Sequence, residues 1–355
     1  CEIGRNMTDE DGPPDAGPFP LERTSEPDAL ADYTDLTAKF CAPLVVQREW
    51  QSRSDLDPKW VLPYVIKRNN IGNKSSDYFH WATRMACDSA NSPSPIRSWY
   101  DRKIRQSVEN SIYYADDPRT ALAMRKYIPP QFRPSAAKAI YELFGVHRVY
   151  DPCGGWGDRM AGAMAYGADH YHCRDVNPFV FSGYALQQKY LPSTTNVTFE
   201  YRGSEVDSPT GPWFDFVFTS PPYYKIEKYH GDKQSFRQYK SCDAWISGFL
   251  LPMVTHAWHS LIDGGHMLIN ISDCYVDHTN NELCRPMVDH CLSALDNCHL
   301  MGVIGYEIGA RTGRRVQSGI NAEPIFMFEK GDRTDFTQLY RKKLLPLLEW
   351  SNTEV

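Results

Sequence analysis

Two short stretches of the chain carry residue types and spacings suited to chemistry. Residues 216–224 read FVFTSPPYY, and residues 151–157 read DPCGGWG. In the first, an apolar run ends at Thr219 and Ser220, and two prolines follow. Adjacent prolines cannot continue a strand ladder or enter a helix interior. Their fixed φ holds the Ser220 hydroxyl and the Pro221 carbonyl still, and two tyrosines follow at once. In the second, Gly154, Gly155 and Gly157 permit a sharp turn and close approach of backbone to a ligand, with Asp151 at the head of the turn.

The carboxylate decides what kind of ligand such a turn suits. A GxGxxG turn cradles a pyrophosphate, which Asp151 would repel. Asp151 suits a cation instead, such as the amino group of an amino-acid moiety. Asp175 lies 20 residues after Gly155, at the end of the next apolar stretch, where an acidic side chain accepts hydrogen bonds from ribose hydroxyls. Its plainer role is to cap the helix that begins near Pro178. A nucleoside with a positively charged amino-acid tail satisfies both acids, and S-adenosylmethionine is such a molecule. In GSEVD, Ser204 or Glu205 is placed to bond an adenine edge or to cap a loop.

These residues need a scaffold that brings strand ends together. SAAKAIYELFG reads as a helix ended by Gly145. After it, apolar stretches alternate with helical ones: HRVYD, HYHCRD, NVTFEYRG, WFDFVFTS and GHMLINISD are the strands, and CDAWISGFLLPMVTHAWHSL and NELCRPMVDHCLSALDN are the clearest helices. LMGVIGYEIG and AEPIFMFEK close the pattern with no helix between them. Alternation with buried strands means an α/β fold, a mostly parallel seven-stranded sheet covered on both faces, with the last two strands as an antiparallel edge pair. Ligands bind outside the carboxyl ends of such strands, where both chemical stretches fall. The expected divisions are a flexible arm at 1–35, a mainly helical or irregular accessory and target-recognition region at 36–125, the catalytic domain at 126–335, and a helix or tail at 336–355.

The chain resembles the Rossmann-like class I S-adenosylmethionine-dependent methyltransferases that modify exocyclic amino groups of bases in DNA. DPCGGWG is similar to their first motif, and Ser220-Pro221-Pro222-Tyr223 matches their catalytic (Ser/Asn/Asp)-Pro-Pro-(Tyr/Phe/Trp). FRPSAAKAIYE (132–142) is similar to the segment that closes over the cofactor's methionine end, and EPIFMFEK to a final strand. The resemblance covers roughly residues 126–330. It implies S-adenosylmethionine as cofactor, held by Phe132, Arg133, Asp151, Cys153, Gly155, Gly157, Asp175, Ser204 and Glu205. It implies catalysis by Ser220, Pro221, Pro222 and Tyr223. The Ser220 hydroxyl and the Pro221 carbonyl accept the two N–H hydrogens of a base amino group and turn its lone pair toward the methyl group. Tyr223 stacks on the base, which has left its helix or comes from a single strand. Tyr224 is unassigned. Trp156 stands where the family commonly has a smaller residue. Pro152-Cys153 superficially matches the nucleophile of cytosine C5 methyltransferases, but that cysteine belongs at the fourth strand end, so Cys153 reads as a small residue of the cofactor turn.

Ser at the head of the catalytic motif leans toward cytosine N4 over adenine N6, and DNA is favoured over RNA. The alternatives are an RNA or protein methyltransferase on the same fold, and a non-catalytic assembly subunit. A net charge of −6 means that any surface for nucleic acid is local. Arg311, Arg314 and Arg315 in ARTGRRVQSG are the candidates for phosphate contacts. RSWYDRKIR (97–105) is a second, mixing cations with Trp99 and Tyr100.

Hydrophobic residues form 42% and charged residues 23% of the 355, an ordinary globular composition. Neither a membrane-spanning run nor a secretory apolar core is expected, so the protein is expected inside the cell. Ten cysteines without a CxxC pair do not suggest a disulfide framework. Cys284, Cys291 and Cys298, seven apart, read as small hydrophobes on one helix face with Val288, Leu292 and Leu295, so no metal is expected.

Overall fold

The computed structural model describes residues 19–90, 92–111, 116–125, 128–309 and 319–351. The strands along it are β1 (Val45–Gln47), β2 (Trp50–Gln51), β3 (Val61–Ile66), β4 (Asp88–Ser89), β5 (Arg148–Asp151), β6 (His170–Asp175), β7 (Asn196–Tyr201), β8 (Phe214–Thr219), β9 (Glu227–Lys228), β10 (Leu261–Asn270), β11 (Cys274–Val276), β12 (Thr279–Asn281), β13 (Cys298–Glu307) and β14 (Ile320–Lys330). The main sheet has the order β1-β3-β13-β14-β10-β8-β5-β6-β7, with β2 pairing β14. β5, β6, β7, β8 and β10 are parallel, and β14 runs antiparallel to both β10 and β13. Those seven strands form the expected α/β core, a mostly parallel sheet with one antiparallel strand between β10 and β13.

The antiparallel pair is not at the edge, however. β3 joins β13 in parallel and β1 joins β3, so the region expected to be helical or irregular extends the sheet. VLPYVI is a short apolar run, and periodicity alone cannot separate such a run from a helix segment.

Helices cover both faces. Side chains alternate across the pleat: Phe216 and Phe218 enter one core cluster with Ile140, Tyr141 and Met160, while Val217 enters the other with Trp245, Trp258 and Met287. Helix Pro134–Phe144 lies on the first face and stops at Gly145, whose φ of 68° suits a left-handed cap. On the second face, residues 242–259 form a continuous helical stretch through a π-helical turn at Ile246–Leu250. Pro252 in the next turn can donate no backbone hydrogen bond, and such irregular turns accommodate that.

The segment expected to be a flexible arm contains helix Glu26–Ala38, N-capped by Ser25. Lys138 explains its order. The buried ammonium donates to the carbonyls of Leu36 (2.8 Å), Thr37 (2.9 Å) and Lys39 (2.6 Å), satisfying the orphan carbonyls at that helix's end. Glu142, one turn on, accepts from the amides of Cys41 and Ala42 at 2.7 Å each.

The cysteine reading is corrected in part. Cys284, Val288 and Cys291 are buried on helix Cys284–Ala294, but Cys298 starts β13, and Leu292 is 46% exposed. The helix ends before Leu295, whose backbone is extended. No group of three potential metal ligands comes together, and no helix is long and apolar enough to cross a membrane, among the described residues.

Candidate active site

The turns after β5, β6, β7 and β8 converge on a cleft holding about 600 Å³ of empty space, its mouth included. Gly155 has φ +59°, and a Cβ added there would meet nothing closer than the Cys153 carbonyl at 3.9 Å, so the backbone lies open to a ligand. Asp175 ties two turns together: its oxygens accept from the Gly155 amide at 2.9 Å and the Asn177 amide at 2.7 Å. Burial pushes its carboxyl up to about 6. Each oxygen keeps a lone pair for a hydroxyl donor.

At the third turn the two candidates part. The Ser204 hydroxyl donates to the Pro152 carbonyl at 2.7 Å and accepts from the Tyr150 hydroxyl at 3.1 Å. It is committed to the fold and is not free for an adenine edge. Glu205 Oε2 is buried with no hydrogen-bond partner among the described residues, and burial raises its carboxyl. A buried orphan acceptor on a cavity wall is an atom that a ligand's donor would satisfy.

Asp151 and Gly157 also differ from expectation. Asp151 is fully buried, and both its oxygens are taken. Arg159 Nε donates at 2.7 Å, Tyr171 Oη at 2.7 Å and Thr219 Oγ1 at 2.9 Å. Its cation is the chain's own arginine. Gly157 lines neither cleft nor groove. It has φ +70°, and a Cβ would fall 2.1 Å from Gln187 Oε1, so close packing requires this glycine. Cys153 does line the cleft, but burial, then Asp175 and Asp151, push its thiol well up. No thiolate nucleophile is held there.

Beside the cleft runs a larger groove, holding about 2940 Å³ of empty space, its mouth included. Four residues border both spaces: Gly155, Trp156, Ser220 and Tyr229. Trp156 is buried and meets Tyr229 edge-on at 5.5 Å, so it belongs to this partition. Pro222 lines the cleft, while Pro221 and Tyr223 line the groove. The Ser220 hydroxyl donates to Asn270 Oδ1 over a long 3.4 Å, and Asn270 Nδ2 is anchored on the Pro324 carbonyl at 3.0 Å. The Tyr223 hydroxyl lies 3.2 Å from Glu323 Oε2 and 3.3 Å from the Asn270 carbonyl, donating toward both. Tyr224 is a packing residue: buried, with φ 54°, its hydroxyl donates to the Lys240 carbonyl at 2.8 Å. Asn270 and Glu323 were missed by the sequence reading. The one available signal was Asn270's place at the end of the strand after the catalytic motif.

Phe132 and Arg133 line the groove and not the cleft. Phe132 stacks on Tyr306 at 4.7 Å, and the Arg133 amide and Nε donate to the Tyr306 hydroxyl at 3.0 and 2.9 Å. These contacts pin the lead of helix Pro134–Phe144 to β13.

Arg311, Arg314 and Arg315 lie outside the described residues. Trp99 is 2% exposed and packs with Val108, Ala121 and Leu122, so it offers no face to a base. Instead the groove carries Arg68, Arg84 and Arg119 from the N-terminal region. Arg84 is paired with Asp77, Nε to Oδ1 at 2.9 Å. The Arg119 guanidinium is pulled down by burial first, then by Arg84, so like charges crowd this wall.

No family model matches the sequence, and no curated protein matches it. Solved structures resemble it loosely. An rRNA methylase of Streptococcus thermophilus is 15% identical over 57% of this chain and 99% of its own, with a TM-score of 0.35. An S-adenosylmethionine-dependent O-methyltransferase of Thermotoga maritima is 12% identical over 57% of this chain and 69% of its own, at 0.35. A tRNA (m1A58) methyltransferase of Aquifex aeolicus is 11% identical over 57% of this chain and 71% of its own, at 0.36. The likeness is one of fold.

Proposed function

We propose that the chain is an S-adenosylmethionine-dependent methyltransferase acting on an exocyclic amino group of a base in DNA, with cytosine N4 ahead of adenine N6. The observation that carries this reading is Ser220, which borders both the cleft and the groove. A group transferred between ligands in the two spaces must cross at such a residue.

The cleft fits the cofactor by its donors and acceptors. Asp175 offers two oxygens to ribose hydroxyls, Glu205 Oε2 is an acceptor in need of a donor, and Gly155 leaves room for close approach. Bound there, S-adenosylmethionine would supply an electrophilic methyl group. On the groove side, the Ser220 hydroxyl donates its hydrogen bond to Asn270, which leaves its lone pairs for an amino N–H. The Pro221 carbonyl is the second acceptor. Together they pull the amino nitrogen out of conjugation and aim its lone pair toward the cleft. Tyr223 sits half-buried on the groove wall, tethered through its hydroxyl, and is the ring that would stack on a base. Arginines along the groove suit a phosphate backbone.

The test is transfer of a tritiated methyl group from S-adenosylmethionine to DNA, RNA and protein pools, followed by mass spectrometry of the digested nucleosides. N4-methylcytosine in DNA is the expected product. Label in RNA alone would replace the DNA assignment, and label in no pool, with cofactor bound, would leave a binding module.

A further inference from the structure

The carboxylate expected to receive a cationic ligand tail, Asp151, is closed off by Arg159, Tyr171 and Thr219. A second acid stands on the same turn. Asp158 is 4% exposed and lines the groove together with Gly154, Gly155, Phe132 and Ser220. Its Oδ1 accepts from Ser76 Oγ at 2.5 Å and from Gln131 Nε2 at 2.9 Å. Its Oδ2 accepts from none of the described residues. Ser76 and Gln131 come from separate segments, and Gln131 also donates to the Asn73 carbonyl at 2.9 Å and to Ser76 Oγ at 2.8 Å. The carboxylate is thus held rigidly from one side, with one oxygen left for a ligand.

We infer that Asp158, oriented by Ser76 and Gln131, is the acceptor for the positively charged amino group of the nucleoside ligand's amino-acid tail. The inference rests on the reading of the cleft as an S-adenosylmethionine site. The tail would cross from the cleft past Gly155 into the groove.

The charges around Asp158 support this. Arg84 and Arg159 face it, but each is already engaged, with Asp77 and with Asp151. His80, packed against Gly157, is pushed down to about 4 by burial and stays neutral. Burial dominates at Asp158 itself and raises its carboxyl to about 7. An ammonium arriving at Oδ2 would favour the ionised form, so the carboxyl O–H gives its proton to solvent as an N⁺–H···O⁻ bond forms.

Calorimetry with two probes tests it: S-adenosylhomocysteine, which carries the tail, and 5′-methylthioadenosine, which lacks it. Asp158→Asn should weaken the first by about tenfold or more and leave the second unchanged. Wild-type protein should release about half a proton more per site at pH 7 on binding the first probe than on binding the second, whose ribose meets Asp175 alike. Equal weakening of both probes would make Asp158 a support of the turn and overturn the inference, as would no weakening of either. If Asp158→Asn does not fold, the wild-type proton count decides, and equal release with the two probes overturns it. Wild-type protein that binds neither probe would refute the cofactor reading itself, and the inference with it.

Discussion

Arg159 holds Asp151 with Nε 2.7 Å from one carboxylate oxygen, and both side chains are buried. The pair spans the Gly-rich turn: Asp151 ends β5 and Arg159 lies in the first turn of helix Asp158–Tyr166. Arg159 also reaches the Cys153 carbonyl within that turn. The ion pair therefore sets the shape of the loop that borders the cleft.

Removing one partner of a buried pair leaves an uncompensated charge and costs about 3–5 kcal/mol. Arg159→Met should lower stability to urea by that order. Asp151→Asn should cost a similar amount, since it leaves the buried Arg159 guanidinium without its counter-charge and keeps only one acceptor oxygen for the donors around it. A loss under about 1 kcal/mol for Arg159→Met would mean that Asp151 finds another cation.

The sheet core and the strand-end residues Asp175 and Ser220 were legible because a short motif at a strand end fixes its own surroundings. Pro221 and Pro222 stiffen the backbone wherever they stand. What was not legible depends on contacts between distant segments. Asp151 and Asp158 are both acids on one turn, and nothing local says that Arg159 closes one while Ser76 and Gln131, 82 and 27 residues away, hold the other. Ser204 and Glu205 are neighbours of similar polarity; only Tyr150 and the Pro152 carbonyl, 54 and 52 residues away, decide that Ser204 is closed. The extension of the sheet by β1 and β3 was hidden for another reason: they lie outside the strand–helix alternation that marked equally short strands such as β5 and β6, and a short apolar run without that context is ambiguous.

Two raised carboxyls give a pH prediction. Asp175 at about 6 and Asp158 at about 7, both raised mainly by burial from 3.8, bind protons more tightly folded than unfolded. The stability they contribute is fully present below about pH 4 and is lost as pH rises through 6 and 7. The Tm of the ligand-free protein minus that of Asp158→Asn should therefore fall between pH 4 and 7.5. S-adenosylhomocysteine affinity should rise over the same interval, because its donors favour the ionised acids. A Tm difference that grows with pH would sink the assignment of the raised value to Asp158.

The arginine wall predicts a salt effect. Arg68 and Arg119 line the groove from the N-terminal region, and each guanidinium that meets a phosphate releases about one counterion. Arg68→Glu or Arg119→Glu should weaken single-stranded nucleic acid uniformly across sequences and reduce the slope of log affinity against log salt by about one. Fluorescence anisotropy at several salt concentrations measures both. An unchanged slope would move the phosphate path elsewhere, with Arg311, Arg314 and Arg315 the next residues to substitute.

The last prediction separates the residue that touches substrate from the one that holds it. Both Ser220 and Asn270 border the groove, but Asn270 also accepts the hydrogen bond of the Ser220 hydroxyl at 3.4 Å while anchored on the Pro324 carbonyl. Ser220→Ala removes an acceptor for the amino N–H, and Pro221→Ala releases the φ that holds the second. Both should lower the methylation rate and leave S-adenosylhomocysteine affinity intact, whereas Asp175→Ala should weaken that affinity first. Asn270→Ala leaves the Ser220 hydroxyl unanchored, and misplacement on this scale costs up to ~10²-fold in rate. If Asn270 acts only by positioning Ser220, the double variant should be no slower than Ser220→Ala alone. A double-mutant cycle on single-turnover rates reads this directly. Losses that multiply would show that Asn270 has its own part in the reaction, and full activity of Ser220→Ala would refute the proposed role of the SPPY motif.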